Sequence, residues 1–257
     1  MPCLLNFDKI GKVICKINDN PRYNKKKLCL SGSKDKIDSD VKLFSEMKLE
    51  NGSFQLIPDK NADRMTMYVT GSAGSGKSYF IAEYVKEYHA MFKNNLIFLV
   101  SESDEDPAFD SLEYVRRLQV DESLLTDPID WTDFKECLVI FDDIDSMNGK
   151  LGKEVFRLRD KLLKNSRKFK VSVISSAHNS TGGDLKSVLN ESQIIVFFLS
   201  NYSRALKYLL ENYIGMSKKG VDKLRKMTDS RWTAVVKTFP NLIVQDKFIS
   251  TLNSFDC

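Results

Sequence analysis

The chain has 257 residues, 42% of them hydrophobic and 29% charged, and a formal net charge of +4 from 39 basic and 35 acidic residues. That length suits one large domain, or one domain with an appendage, and gives ample material for a buried core. The charge is too mild to mark a nucleic-acid binder by itself but permits a local basic track, and the longest apolar run, residues 194–199, is far too short to span a bilayer. The amino terminus has no signal-peptide layout. Five cysteines (Cys3, Cys15, Cys29, Cys137, Cys257) form no C-x-x-C pair and only two histidines are present, which argues against a zinc site or a disulfide framework and suits a reducing compartment.

Residues 1–53 are poorly patterned, with a polar Lys25, Lys26, Lys27 run and a polar stretch over 31–40. A basic arm touching DNA or a partner is one reading. A partly ordered lead-in with a short helix over 41–47 is the favoured one. FQLI at 54–57, stopped by Pro58, predicts a strand at the edge of the main sheet and opens the domain that runs to residue 257.

Residues 65–70 are a short apolar strand, and the sequence turns helical from Ser78. Between them Gly71, Ser72, Ala73, Gly74, Ser75, Gly76, Lys77 and Ser78 match G-x-x-x-x-G-K-[ST] in full. Polyphosphate needs converging backbone N–H groups, and side chains at the glycines would obstruct them. The following helix N-terminus adds partial positive charge. Lys77 can reach the β- and γ-phosphates of ATP and the Ser78 hydroxyl can ligate Mg²⁺. A glycine-rich turn would fit by chance in roughly 1% of chains this long, and the flanking strand and helix lower that further.

Ile81, Tyr84, Val85, Tyr88 and Phe92 predict a helix over 77–92, with His89 structural. LIFLVS at 96–101 is a strand and the acidic run at 102–107 a solvated loop. A short helix is expected over 109–119, then a connection in which Trp131 and Phe134 cover the sheet. CLVIFDD at 137–143 predicts a central parallel strand with two carboxylates at its ligand-binding end. Asp142 is assigned to Mg²⁺ and Asp143 to the attacking water. Neighbours on a strand face opposite ways, so the roles should not exchange. Asp145 reads as an N-cap or loop residue. A helix over 151–163 shows a basic outer face at Lys153, Arg157, Lys161 and Lys164, a solvated face or a track for phosphates. The strand at 170–175 ends at Ser176-Ala177-His178-Asn179, where His178 is placed to sense the γ-phosphate. Strand 193–199, serine-capped helices over 203–213 and 217–227, a hairpin of 231–236 and 242–245, and a last strand over 248–252 complete the chain.

This succession predicts an α/β, three-layer P-loop NTPase of the ASCE type. It has a mainly parallel five-stranded core sheet, an extra edge strand and a C-terminal β-hairpin. A strand between the P-loop strand and the two-acid strand marks an energy-transducing ATPase, and no arginine-rich lid or N-K-x-D pattern points to a small-molecule kinase or GTPase.

GSAGSGKS, LVIFDDID, NSRKFKVSVISSAHNS and SRWTAVVKTFP, in that order, resemble the DNA-packaging ATPases of nucleocytoplasmic large DNA viruses (poxvirus and giant-virus type), in the FtsK–HerA branch of P-loop NTPases. The likeness covers about residues 54–252. It implies an ATP-driven translocase of double-stranded DNA that packages a viral genome, works with Mg²⁺ as a homo-oligomeric ring, and meets capsid or portal proteins but no membrane. It places the protein in the host cytoplasm, at the viral factory, with the virion as a second location. It also makes Arg167, in Ser166-Arg167-Lys168, the candidate arginine finger for a neighbouring subunit. His178 stands where related translocases often carry Gln, and Asp143 where many carry Glu. Two other classes stay open: a protein-directed remodeller, and a slow ATP-dependent assembly switch.

Overall fold

A computed structural model describes residues 4–227 and 229–256. Cys3 and Cys257 lie outside the described residues; Cys15, Cys29 and Cys137 are buried free thiols. The chain divides into two compact units, Ala62–Ile195 and Met1–Asn61 with Val196–Cys257.

In the discontinuous unit the first stretch forms five strands: β1 (Leu5–Asn6), β2 (Lys12–Asn18), β3 (Lys27–Leu30), β4 (Glu46–Lys48) and β5 (Ser53–Leu56). Strands β1, β3, β2 and β5 pair in that order as an antiparallel sheet. The expected edge-strand position of residues 54–57 is therefore corrected: β5 is a strand, but it pairs with β2, setting Cys15 opposite Leu56. The helix expected over 41–47 does not form. Phe44 and Leu5 instead exchange backbone bonds of 2.9 and 3.1 Å, and β4 follows. Long-range pairing outweighs a weak local helical preference there.

The continuous unit holds β6 (Thr66–Thr70), α1 (Lys77–Met91), β7 (Ile97–Ser101), α2 (Pro107–Asp110), β8 (Val115–Arg117), α3 (Ser123–Thr126), β9 (Leu138–Asp142), α4 (Gly149–Asn165), β10 (Ser172–Ala177) and α5 (Lys186–Glu191), and ends in the first half of β11 (Ile194–Phe197). Its strands lie in the order β11, β6, β10, β9, β7, β8. The β6·β10, β10·β9, β9·β7 and β7·β8 pairs are parallel. Strands β6, β9 and β10 are buried along their whole length; β9 accordingly reads as an unbroken apolar run up to Asp142, while β6 also buries Thr66 and Thr70, and β10 buries Ser172, Ser175 and Ser176. Each fully buried large aliphatic or aromatic side chain contributes roughly 1.5–3 kcal/mol. As expected, β10 stands between the P-loop strand and the two-acid strand.

The extra edge strand of this sheet is β8, within the 109–119 segment expected to be helical. Asp106 caps the Ala108 N–H and Pro107 opens α2 early, so the helix is spent by Asp110. Val115 then pairs level with Ile97.

The rest of the discontinuous unit carries α6 (Arg204–Tyr208), which continues as a π-helical turn over Leu209–Ile214, then α7 (Lys218–Lys226), β12 (Thr233–Val236), β13 (Leu242–Gln245), β14 (Phe248–Thr251) and α8 (Leu252–Asp256). Ser203 and Ser217 cap their helices, accepting from the N–H groups of Leu206 and Gly220. Strands β12 and β13 form the expected hairpin, extended antiparallel by β14 and β4. Among the described residues no helix is long and apolar enough to cross a membrane.

Candidate active site

Strands β6, β10 and β9 run level, with Thr70 opposite Ala177 and Phe141 opposite Ser175, so their carboxyl ends open together. This is the ligand-binding end of a parallel sheet. Residues 71–78 turn there from β6 into α1. Gly74 (φ 72°) and Gly76 (φ 104°) are both left-handed. A Cβ at Gly74 would touch nothing within 4 Å, so that position needs glycine for its backbone conformation rather than for space. The Gly71 N–H donates to the Ala177 carbonyl at 3.3 Å and the Ser75 N–H to the Ser72 carbonyl at 3.2 Å, which ties the loop to β10 and closes it. The Ser75 hydroxyl is buried without a protein partner. A phosphate oxygen in the loop would satisfy it.

Lys77, 5% exposed, joins the three motifs. Its Nζ donates to the Gly71 carbonyl at 3.0 Å and lies 3.2 Å from Asp143 Oδ2 and 3.3 Å from His178 Nδ1. His178 Nε2 lies 3.3 Å from the same Asp143 oxygen, and the His178 backbone N–H donates to Asp145 Oδ2 at 3.1 Å.

The two acids do not alternate across the strand as expected. Asp143 falls just beyond β9 in the left-handed region (φ 48°, ψ 36°), which breaks the pleat. Both carboxylates consequently meet one hydroxyl. Ser176 Oγ donates to Asp142 Oδ1 at 2.6 Å, lies 3.0 Å from Asp143 Oδ1, and accepts from the Asp143 N–H at 2.9 Å.

Burial pushes the Asp142 carboxyl up to about 6; the Ser176 bond and the Lys77 ammonium pull it down, while Asp143 and Asp106 push it further up. A carboxylate buried close to other acids fits a hard divalent cation, and Ser78, in the first turn of α1, carries a hydroxyl of the kind that would serve as a further oxygen ligand. Asp143, Asp145 and His178 also bring ligand atoms within 4.8 Å of one another. The Lys77 ammonium already supplies the cation at that point, and an imidazole nitrogen suits Mg²⁺ poorly.

Arg167 is not brought to this site. It lies in the 3-10 turn before β10, at the opposite end of that strand from His178. It is 75% exposed, with its guanidinium 2.9–3.0 Å from Asp63 Oδ2. Ser176 and Tyr68 join the constellation without having been singled out by sequence, and Asp145, expected only as an N-cap or loop residue, joins it through the His178 N–H. Tyr68 is fully buried in β6, and its hydroxyl donates to the Asn179 carbonyl just after His178. The available signal for Ser176 was the serine pair 175–176 just before His178 at the end of the strand.

No protein-family model matches the chain. It is 30% identical over 256 residues to the uncharacterized protein V3 of Sputnik virophage, covering 98% of this chain and 100% of that protein. Among solved structures it resembles the genome packaging NTPase B204 of Sulfolobus turreted icosahedral virus 2 in complex with AMPPCP. The identity there is 15%, over 72% of this chain and 98% of that one, with a TM-score of 0.50. It also resembles the cytoplasmic domain of the type VII secretion ATPase EccC from Thermomonospora curvata, at 11% identity over 80% of this chain and 28% of that one, with a TM-score of 0.52. At these identities the likeness establishes a P-loop NTPase fold.

Proposed function

The chain belongs to the family of protein V3 of Sputnik virophage, and from that footing we propose that it is an ATPase that drives double-stranded DNA, packaging a viral genome into a capsid. The observation that carries this reading is the convergence of the P-loop lysine, the second acid of β9 and the histidine of β10 on one point: Lys77 Nζ reaches both Asp143 and His178 within 3.3 Å. Its structural neighbours, a genome packaging NTPase and a secretion ATPase, support the ATPase part and leave the cargo to experiment. The resemblance to packaging ATPases of large DNA viruses supports the DNA part, a homo-oligomeric ring, capsid or portal partners and a place in the infected cell's cytoplasm.

In this mechanism the N–H groups of residues 71–78 and the Lys77 ammonium bind the triphosphate. Ser78 and Asp142 would hold Mg²⁺, which supplies charge neutralisation at the phosphates. Asp143 takes the proton of the attacking water, and Arg167 of a neighbouring subunit would stabilise charge on the transferring phosphoryl group. Asp143 is engaged by Lys77 and His178. Competition of a phosphate for Lys77 frees the Asp143 carboxylate, so binding prepares the base. Ser176 and Tyr68 are positioning residues: one fixes both acids, the other the backbone after His178. The same engagement of Asp143 favours a second reading, a slow ATP-dependent switch. ATP turnover measured with and without linear double-stranded DNA separates the two, because only the motor accelerates on DNA.

A further inference from the structure

The chain's charge is unevenly placed. Ala62–Ile195, which holds the nucleotide site, has 17 basic and 22 acidic residues, a formal −5; Met1–Asn61 with Val196–Cys257 has 22 basic and 13 acidic, a formal +9. The modest overall +4 hides an acidic catalytic unit and a strongly basic second unit. Charge of that density attracts a polyanion.

Within the basic unit the cations crowd on the turn joining β2 to β3. Arg22, Lys25, Lys26 and Lys27 are all exposed, and among the described residues none of the four enters an ion pair. The turn is a built feature. Asn20 Oδ1 accepts from the N–H groups of Arg22 and Tyr23, both at 2.9 Å, and Asn20 Nδ2 donates to the Asn51 carbonyl at 2.7 Å. Lys25, left-handed at φ 60°, donates its N–H to the Ile17 carbonyl at 2.7 Å. The Tyr23 ring stacks on Phe7 with centroids 5.0 Å apart. The Arg22 guanidinium stands 5.2 Å from the Tyr23 centroid, and the Lys26 ammonium 5.8 and 5.9 Å from the two rings.

These rings hold cations and are stacked on each other, so they offer no free platform for unpaired bases. Among the described residues the exposed large apolar side chains lie elsewhere, so the turn presents none of them to a bilayer. Exposed cations on an ordered backbone turn, with no free apolar or stacking group beside them, match the phosphate backbone of a duplex. We infer that the turn between β2 and β3 is a contact for the phosphates of double-stranded DNA, an inference that rests on the DNA-motor reading.

The test is the salt dependence of binding of the full chain to a fluorescent duplex of arbitrary sequence, by anisotropy. The first variant is Arg22→Gln, Lys25→Asn, Lys27→Gln; asparagine tolerates the left-handed backbone at 25, and Lys26 is kept because it packs on the rings. The second is Lys153→Gln, Lys161→Gln, Lys164→Gln on the outer face of α4. Each phosphate contact contributes about 0.9 to the slope of log K against log[salt]. The first variant should therefore lose about 2–3 from the slope and bind at least tenfold more weakly at fixed salt, while the second keeps the wild-type slope. If the triple variant misfolds by circular dichroism, Arg22→Gln and Lys27→Gln alone should each lower the slope by about one. A wild-type slope in the first variant, an equal loss in the second, or tighter binding to single strands would overturn the inference and leave the motor reading standing. A wild-type chain that binds no duplex at all would overturn both.

Discussion

Lys77 is the residue on which the site's charges balance: a buried ammonium 3.2 Å from Asp143, with the raised carboxyl of Asp142 nearby. The sign of the Asp142 shift has a consequence for stability. A carboxyl whose folded pKa is raised binds its proton more tightly in the folded chain. Its contribution is thus full below about pH 4 and is lost as pH rises through about 6. The metal-free wild type should gain thermal stability between pH 7 and pH 5 relative to Asp142→Asn, and a constant difference in Tm between the two would contradict the shift. Mg²⁺ requires the ionised carboxylate and competes with the proton for it, so turnover at limiting Mg²⁺ should fall as pH drops through about 6, and excess Mg²⁺ should move that fall to lower pH. Ser176→Ala removes the hydroxyl that holds both acids. The expected result is a loss of kcat of about tenfold or more with KM for ATP nearly unchanged, and an unchanged kcat would remove Ser176 from the mechanism. Arg167→Ala should abolish turnover in the assembled protein yet spare ATP binding, and parallel loss of both would sink the finger role. Asp63→Ala is its control, because an ion pair this exposed contributes only about 0–1 kcal/mol.

At the scale of elements, the legible parts were those whose physics is local. Strand β9 is apolar up to Asp142 because both its faces are buried, and Gly74 and Gly76 take the left-handed backbone angles that glycine allows in a G-x-x-x-x-G-K-[ST] turn. The unit around β2 was opaque for equally local reasons. Its register shifts between Val13 and Cys15, which breaks the two-residue period, and β1 is too short to show one. The left-handed turn at Asp143 has no sequence signal at all, and it alone undid the expectation that the two acids face apart. Helix α4 shows how tightly the site's supports are built. A Cβ on Gly152 would stand 2.7 Å from the Met147 carbonyl oxygen, in the segment that leads on from Asp145. Backbone cannot yield as a side-chain tip can, so Gly152→Ala should cost about 1–3 kcal/mol and lower Tm by about 3–10 °C. An unaltered Tm would mean that the approach relaxes freely.

For the whole molecule the division of labour follows charge. On the motor account the acidic unit would carry the triphosphate site and the basic unit the cation turn that meets DNA. A motor needs both to act on one cycle. The most direct test is steady-state ATP hydrolysis by the full chain with and without linear double-stranded DNA across a salt series, with Lys77→Ala as the blank. The motor account predicts hydrolysis that DNA raises severalfold, that salt weakens and that the blank lacks. Hydrolysis indifferent to DNA at every salt concentration would contradict it.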